Sequence, residues 1–382
     1  MSNMPHVVVI GAGALGMCSA YLMSEKGAKV TVLEAQSIAS ASTGRSVGVV
    51  GTQLFDPFDI ALRKLSFEHL DKWEKNGLFF NKIGYLRLAR NEEQMLLLKK
   101  SVEMQKEAGF SANVFAKDEL QKIIPHISTD GLCGGIFGAG NGYIDPYQLC
   151  TILADKLKEN GGIVKQMCKV EGVEKTGAVY HINTTRGNFK CDVVVNAAGA
   201  WASSVAALFG QELNIRPERH EAVSIHLESP LNYTMPMVMD LVNGEGTGLN
   251  FRHEKKNELI AEIHKGNNLK SEDPDFYNEL CNEDSKVYLA ELLLERLPNL
   301  PGPSLGKGWA GLYPMTKDNQ PFVGPVDFNE PTIITAAGAG GYGIQLAPAI
   351  GQLTADWALY GHPVSIPDAY RLLPNKDRNI LF

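Results

Sequence analysis

The sequence has no uninterrupted apolar run of the ~18–20 residues that a membrane span requires, which argues against an integral membrane protein. Its 36 Lys and Arg are scattered among 43 Asp and Glu, which argues against nucleic acid or an anionic membrane as the partner. The six cysteines form no C-x-x-C pair and have no histidines at zinc-like spacing, so we expect reduced thiols and no metal site. The N-terminal segment lacks the basic flank of a signal peptide, and we expect a cytoplasmic protein.

The most informative feature of the sequence is the glycine motif Gly11, Gly13 and Gly16, together with the strand and the helix predicted on either side of it. Residues 7–10 predict a buried parallel strand, which runs directly into the motif. The first glycine allows a tight turn, the second lets a pyrophosphate approach the backbone, and the third lets the following helix pack closely. That helix, predicted over 14–26, offers unpaired N–H groups and a positive dipole to phosphates. The sequence therefore predicts a dinucleotide site formed by Gly11, Ala12, Gly13, Ala14, Leu15 and Gly16.

Glu34, followed by Ala35, ends a second predicted strand over 30–33. Its carboxylate can accept hydrogen bonds from ribose hydroxyls and would repel a 2′-phosphate, which disfavours NADP. The motif by itself leaves both NAD and FAD open.

The rest of the chain alternates strands and helices, with no internal repeat or low-complexity tract, and this pattern predicts an α/β core. From residue 216 to about 300 the pattern changes to extended segments, as in a substrate-facing unit inserted into the nucleotide domain. Helices are predicted over 57–76, 91–108, 145–160, 284–297 and 347–360, and strands over 163–173, 180–185 and 189–195.

Three further segments bear on the identity of the nucleotide. Residues 39–48 are rich in hydroxyls and glycines, which suits a loop lying against phosphates and a ring system, although a solvated loop has the same composition. Residues 193–202 and 333–345 are buried strands that run into small residues, where the backbone must approach a flat group or another helix. The helix after the second of these segments could place partial positive charge beside an electron-accepting ring.

Taken in order, these segments resemble the D-amino-acid-oxidase-like superfamily of FAD enzymes over essentially the whole chain. The most specific stretches are residues 142–147, 195–201, 309–324 and the closing glycine loop, while 42–48 and 237–240 look most like the sarcosine oxidase and dye-linked L-proline dehydrogenase β-subunit branch. The resemblance implies an α/β fold with an α+β substrate part. It comprises a Rossmann-like FAD-binding domain (1–85, 142–215 and 305–382) and an interleaved antiparallel-sheet substrate domain (86–141 and 216–304).

The resemblance also implies non-covalent FAD, because Gly311 stands where monomeric sarcosine oxidase carries a flavin-linked cysteine. The adenine end would lie near Glu34 and Val170, and the isoalloxazine against residues 42–47 and 338–345. Beyond the opening motif, the FAD-binding residues implied are Glu34, Ala35, Ser42, Thr43, Arg45, Ser46, Val47, Val170, Ala198, Gly199, Trp201, Gly311, Gly338, Gly340, Gly341, Tyr342, Gly343, Ile344 and Gln345.

Members of this superfamily oxidise the C–N bond of an amino acid by hydride transfer to flavin N5, so the protein mainly orients the substrate. By resemblance, Tyr313 takes the position of a substrate-facing tyrosine or a carboxylate-binding arginine; the alternative is a core tyrosine. Arg252 could clamp a carboxylate or be a surface arginine. His264 aligns with an active-site histidine of monomeric sarcosine oxidase, the alternative being a structural role, and Arg45 could face the flavin or the substrate.

Two departures from the oxidases favour a dehydrogenase. Gln345 replaces a lysine near the flavin pyrimidine edge, and Ile260 stands where an oxygen-activating lysine is expected. Since a positive charge promotes electron transfer to oxygen, its loss favours passing electrons to another subunit or carrier. We therefore expect a small-molecule amine or amino-acid substrate of the sarcosine, proline or glycine type, with an electron-accepting subunit or a homo-oligomer as the assembly. An NAD-dependent dehydrogenase, and a flavin-bearing subunit without independent catalysis, are the alternatives.

Overall fold

The computed structural model of the protein describes residues 4–241, 248–264 and 269–374. Its strands are β1 (His6–Ile10), β2 (Lys29–Leu33), β3 (Val49–Val50), β4 (Phe80–Asn81), β5 (Tyr85–Ala89), β6 (Asn113–Ala116), β7 (Gly134–Gly138), β8 (Gly142–Ile144), β9 (Ile163–Lys165), β10 (Val170–Thr176), β11 (Val179–Thr184), β12 (Gly187–Cys191), β13 (Val193–Asn196), β14 (Arg216–His226), β15 (Met237–Leu241), β16 (Gly248–Lys255), β17 (Glu258–His264), β18 (Ser304–Met315), β19 (Phe322–Pro325) and β20 (Ile333–Ala337). Its α-helices are α1 (Ala14–Glu25), α2 (Ser42–Arg45), α3 (Pro57–Glu74), α4 (Glu92–Glu107), α5 (Leu120–Ile123), α6 (Pro146–Glu159), α7 (Ala202–Leu208), α8 (Glu283–Arg296) and α9 (Gly343–Tyr360).

A six-stranded sheet in the order β19-β20-β13-β1-β2-β9 carries the glycine motif at the end of β1. All neighbours are parallel except β19, which pairs antiparallel with β20. Side chains alternate along β1, so Val7 and Val9 pack on the core that includes helices α1, α6 and α9. Val8 and Ile10 face the other way, onto the three-stranded sheet β10-β11-β12. The sheet is therefore buried on both faces, which explains the unbroken apolar run in β1.

Helices α1 and α9 bring the two ends of the chain into contact. A side-chain carbon at Gly351 would lie only 2.7 Å from the backbone carbon of Cys18, so the helices approach each other closely at this glycine. Residues from Ile344 to Trp357 are buried throughout α9.

An eight-stranded sheet in the order β18-β14-β17-β16-β15-β5-β7-β6 forms the second part of the structure, and only β15 and β5 pair parallel within it. One face packs on α8 through apolar side chains such as Val223, Leu259 and Ala261. Because side chains alternate along each strand, the opposite face carries the intervening residues. We call it the polar face; the residues that define it are Glu218, His220, Asn250, Arg252, Glu262 and Tyr313.

This architecture confirms the predicted fold class, and helices α3, α4, α6 and α8 lie within three residues of their predicted bounds. The single strand predicted over 163–173 is wrong, because the chain turns at Met167 (φ 53°) and β9 and β10 join different sheets. The strand predicted over 189–195 likewise divides into β12 and β13. Helix α9 begins at Gly343 rather than at residue 347. The domain boundaries at 85, 141, 215 and 304 stay a prediction.

Candidate functional site

The glycine motif forms a tight turn between β1 and α1. Gly11 has a φ of 108°, and a side-chain carbon there would lie 2.5 Å from the carbonyl oxygen of Ala197. Gly13 is the N-cap of α1, and its lack of a side chain leaves the helix end without a side-chain cap. The N–H of Ala14 donates to Thr43 Oγ1 over 3.0 Å. The helix end therefore presents partial positive charge beside a hydroxyl, as a pyrophosphate site requires.

Glu34 lies beside this turn at the end of β2. Its carboxylate accepts hydrogen bonds from the N–H groups of Ala12 (2.7 Å) and Gln36 (2.8 Å), which hold it against the glycine motif. Val170, at the start of β10, packs against the core beneath the three-stranded sheet. Both residues are therefore close to the carboxyl ends of the parallel strands, where nucleotides bind in open α/β sheets.

Loop 42–47 and the closing glycine loop meet at β18. Ser42 Oγ donates to the carbonyl oxygen of Leu312 over 2.7 Å. A side-chain carbon at Gly341 would lie 2.6 Å from the ring of Tyr313, so only glycine permits this approach. In the same region, the N–H of Gly51 donates to Gln345 Oε1 over 3.2 Å. The structure thus brings together the segments that the sequence places against the isoalloxazine.

The short 3₁₀ turn Gly199–Trp201 follows β13, directly after Ala198, beside the glycine motif. Trp201 Nε1 donates to Asp275 Oδ1 over 2.8 Å. A similar turn, Gly340–Tyr342, leads into α9, whose N-terminus has no side-chain cap. The N-terminus of α9 therefore carries partial positive charge that can stabilise a nearby negative charge.

A cavity that opens to solvent lies between loop 42–47 and the polar face. Its wall includes a stack of His220 on Tyr313, with ring centroids 3.9 Å apart and planes inclined by 18°. The lining residues are Ser42, Arg45, Ser46, Val47, His220, Glu221, Ala222, Glu262, Trp309, Gly311, Leu312 and Tyr313.

Two acidic groups at this cavity hold their protons more tightly than usual. Burial raises the pKa of Tyr313 well above its ordinary value, and the nearby Glu262 carboxyl adds to the shift. Burial also raises the pKa of Glu262, although the hydrogen bond from Asn250 opposes it. The Tyr313 phenol therefore stays protonated at neutral pH and can donate a hydrogen bond.

Arg252 is only 4% exposed, so the alternative of a surface arginine is wrong. Its Nε and Nη2 donate to the carbonyl oxygen of Val47 at 3.1 and 2.8 Å, and Nη1 contacts Glu254 Oε2 at 2.5 Å. Its guanidinium also lies 3.7 Å from the ring centroid of Tyr143. The fork expected to clamp a carboxylate is bound to the backbone of loop 42–47 in this structure.

Arg45 lines the cavity from the opposite side. Its Nη2 lies 2.5 Å from Glu279 Oε1, and Nη1 donates to the hydroxyl of Tyr277. Trp309 Nε1 donates to the Arg45 carbonyl oxygen over 2.9 Å, which fixes the backbone at this point. The side chain of His264 lies outside the described residues, so its predicted role stays a prediction; its backbone pairs with Gly248.

The sequence reasoning missed Glu262, His220 and Asn250. The signal was the alternation of polar and apolar residues over 249–252 and 259–263. Once Arg252 is placed on a strand, the residue two before it lies on the same face. The pairing of Asn250 with Glu262 then requires knowledge of strand register, which the pattern does not supply.

The chain belongs to the DAO family of FAD-dependent oxidoreductases, whose family model matches residues 6–357. FAD-dependent oxidoreductase domain-containing protein 1 of Bos taurus is 29% identical, over 93% of this chain and 81% of its own length. Human mitochondrial dimethylglycine dehydrogenase is 26% identical over 97% of this chain, which spans only 44% of that longer protein. The crystal structure of L-proline dehydrogenase from P. horikoshii superposes with a TM-score of 0.86 at 26% identity, covering 98% of both chains.

The protein is therefore an FAD-dependent oxidoreductase, and the alternative of an NAD enzyme is wrong. The residues present suit this cofactor: the helix end at Gly13, beside the Thr43 hydroxyl, for the pyrophosphate, Glu34 for the adenosine ribose, and a second helix end behind Gly341 for the flavin ring. The individual contacts stay predictions. In the described ranges no helix is long and apolar enough to cross a membrane.

Proposed function

We propose that the protein is a dehydrogenase that oxidises the C–N bond of a small amino acid or N-alkyl amino acid, of the sarcosine, proline or glycine type. The observation that carries the proposal is the cavity between loop 42–47 and the polar face, beside the closing glycine loop. Arg45 lines its wall, and the aromatic His220–Tyr313 stack lies on one side. These features suit a small carboxylate-bearing molecule.

The relatives support this substrate class. Dimethylglycine dehydrogenase and L-proline dehydrogenase are both named for amino acids with a substituted nitrogen, and both resemble the chain over almost its full length. Both are named as dehydrogenases, which agrees with the neutral Ile260 at the position expected to carry the oxygen-activating lysine.

The chain's own residues would bind and orient the substrate. FAD, when bound, accepts the hydride that leaves the substrate carbon. Arg45 would exchange its contact with Glu279 for the substrate carboxylate, and the protonated Tyr313 phenol would donate a second hydrogen bond to it. Arg252 would hold Val47, and with it the loop at the flavin.

An anaerobic reduction screen tests the proposal. We expect sarcosine, dimethylglycine, proline or glycine to bleach the bound flavin, and a dye acceptor to reoxidise it faster than air does. We expect Tyr313→Phe to keep FAD and to reduce the flavin about 10-fold more slowly at subsaturating substrate, since it loses one hydrogen bond. Rapid reoxidation in air would establish an oxidase instead.

A second candidate, a flavin-bearing subunit without independent catalysis, is kept because the chain spans less than half of dimethylglycine dehydrogenase. It would be supported if the protein held FAD and no amine reduced it.

A further inference from the structure

Three polar atoms on the polar face have no hydrogen-bond partner among the described residues. Asn250 Oδ1 and His220 Nε2 are buried without any hydrogen bond, the nearest carboxylate oxygen to the histidine being Glu218 Oε2 at 3.9 Å. Glu262 receives one hydrogen bond, from Asn250 Nδ2 to Oε1 over 3.0 Å. Among the described residues, its second carboxylate oxygen has no hydrogen-bond partner.

Unsatisfied buried acceptors are unfavourable by about 1–3 kcal/mol each and are rare in folded proteins. The carboxylate of Glu262 and the amide oxygen of Asn250 can only accept hydrogen bonds. A ligand that pairs with the open oxygen of Glu262 in the cavity must donate a hydrogen bond, and a cation would also match the carboxylate charge. An aliphatic ammonium has both properties.

The other carboxylates around the cavity are already engaged. Glu221 accepts from the N–H of Asn282 at 2.8 Å and from Ser285 Oγ at 2.7 Å, and it forms an ion pair with Arg219. Glu279 lies on Arg45. In the described part of the chain, Glu262 is thus the cavity-lining carboxylate that remains open to a ligand.

We propose that Glu262, positioned by Asn250, binds the amino group of the substrate and accepts its proton. This inference rests on the proposed function and assigns the amine end of the same site. Arg45 and Glu262 line one cavity, so the carboxylate and the ammonium of an amino acid would each meet an opposite charge.

One N–H bond of the substrate ammonium breaks, its proton passes to a Glu262 oxygen, and the electron pair stays on nitrogen. FAD, when bound, would be the oxidant that takes up the Cα hydrogen with its electron pair. The lone pair that Glu262 frees on nitrogen would form the C=N bond of an iminium. Water hydrolyses the iminium to a carbonyl compound and an amine, and the Glu262 proton returns to solvent.

The experiment separates binding of the amine from binding of the carboxylate, using the FAD-bound protein. Pyrrolidinium chloride supplies an ammonium without a carboxylate, and sodium acetate supplies the reverse. Both are titrated by calorimetry and by the change in flavin absorbance. The variants are Glu262→Gln, which can still accept the Asn250 hydrogen bond, and Glu262→Asp, which keeps the charge. Glu258→Gln, four residues earlier on β17 and paired with Lys255 at the surface, is the matched control.

We expect Glu262→Gln to weaken pyrrolidinium binding at least 10-fold and to leave acetate binding within 2-fold. Glu262→Asp should retain pyrrolidinium binding within about 5-fold, and Glu258→Gln should match the unmodified protein with both ligands. Equal pyrrolidinium affinity in Glu262→Gln and the unmodified protein, or no pyrrolidinium binding to either, would overturn the inference. If pyrrolidinium binds through Glu262 but no amino acid reduces the flavin, the amine site stands and the proposed function fails.

Discussion

At the scale of single residues, the carboxyl of Glu262 lies at the cavity, where burial reduces its contact with water. Glu262 belongs to a strand whose other face is the apolar core on α8, so strand geometry carries its carboxyl to the cavity. Burial raises its pKa, which means that the folded protein binds its proton more tightly than the unfolded chain does. A residue that lowers stability without a ligand present is typical of a functional site.

We predict that Glu262→Gln raises the thermal midpoint of the ligand-free protein by about 1–3 °C at pH 8. The raised pKa destabilises the fold progressively as the pH rises from the ordinary glutamate pKa of the unfolded chain to the higher pKa of folded Glu262, and fully above that. The gain should therefore shrink as the pH falls toward about 4, where the carboxyl is protonated in both states. Thermal unfolding from pH 5 to 8 measures it, with Glu258→Gln as a surface control. A lower midpoint for Glu262→Gln at every pH would contradict a desolvated carboxyl.

Arg252 illustrates how a residue at the site can act through another. Both Nε and Nη2 donate to the Val47 carbonyl oxygen, and the guanidinium stacks on Tyr143. A lysine cannot reproduce that fork. If Arg252 clamps the substrate carboxylate, its substitution should weaken carboxylate binding. If it holds loop 42–47, its substitution should weaken FAD binding instead.

We predict that Arg252→Lys weakens FAD binding about 10-fold, because the loop at the flavin loses a charge-assisted hydrogen bond. Acetate affinity of the FAD-bound variant should stay within 2-fold. Flavin fluorescence titration measures the first quantity and calorimetry the second. Arg87→Lys is the matched control, since Arg87 also donates to a carbonyl oxygen, that of Gln53, on the same sheet. Unchanged FAD affinity together with lost acetate binding would instead support the prediction that Arg252 binds the substrate carboxylate.

At the scale of elements, the sequence predicted correctly those helix ends that are determined by residues adjacent to one another in the chain. Asp145 and Pro146 predicted the start of α6, and the Asp145 carboxylate accepts from the N–H groups of Tyr147 and Gln148. The break between β9 and β10 was missed because Met167 adopts a positive φ without glycine or proline to signal it. The strand, turn and helix of the glycine motif were predicted correctly because the motif is contiguous, whereas Glu262 required strand register that only tertiary pairing determines.

The crossing of α1 and α9 allows a test at this scale. We predict that Gly351→Ala lowers the thermal midpoint and weakens FAD binding. Its methyl would lie 2.7 Å from Cys18 and push apart two helices whose N-termini we expect at the cofactor. Alanine favours helix by up to about 1 kcal/mol over glycine, so propensity alone predicts the opposite sign. Gly140→Ala, where no atom lies within 4 Å, is the control. Thermal unfolding and FAD titration decide; a more stable Gly351→Ala would refute the close contact.

At the scale of the whole molecule, the expected cofactor site is assembled from both ends of the chain. The six-stranded sheet places β20 beside β13, and β13 beside β1, so the closing glycine loop lies near the opening motif only in the complete fold. A ligand that binds only this arrangement stabilises it by mass action, by about 2.7 kcal/mol at a free concentration 100-fold above its Kd. FAD binding and global stability are therefore coupled.

We predict that FAD raises the thermal midpoint of the apoprotein and that NAD does not. Gly13→Asp separates the two effects. Gly13 is an extended N-cap (φ −75°, ψ −178°), a conformation that aspartate adopts, and its side-chain carbon would lie 3.1 Å from Thr43 Oγ1, which has to shift slightly. An aspartate there should cap α1 and keep the apoprotein midpoint close to that of the unmodified protein, yet its charge would repel a pyrophosphate and abolish the FAD-induced shift. Gly13→Ser, a neutral cap, is the control and should lose less of the shift. An undiminished FAD shift in Gly13→Asp would place the pyrophosphate elsewhere.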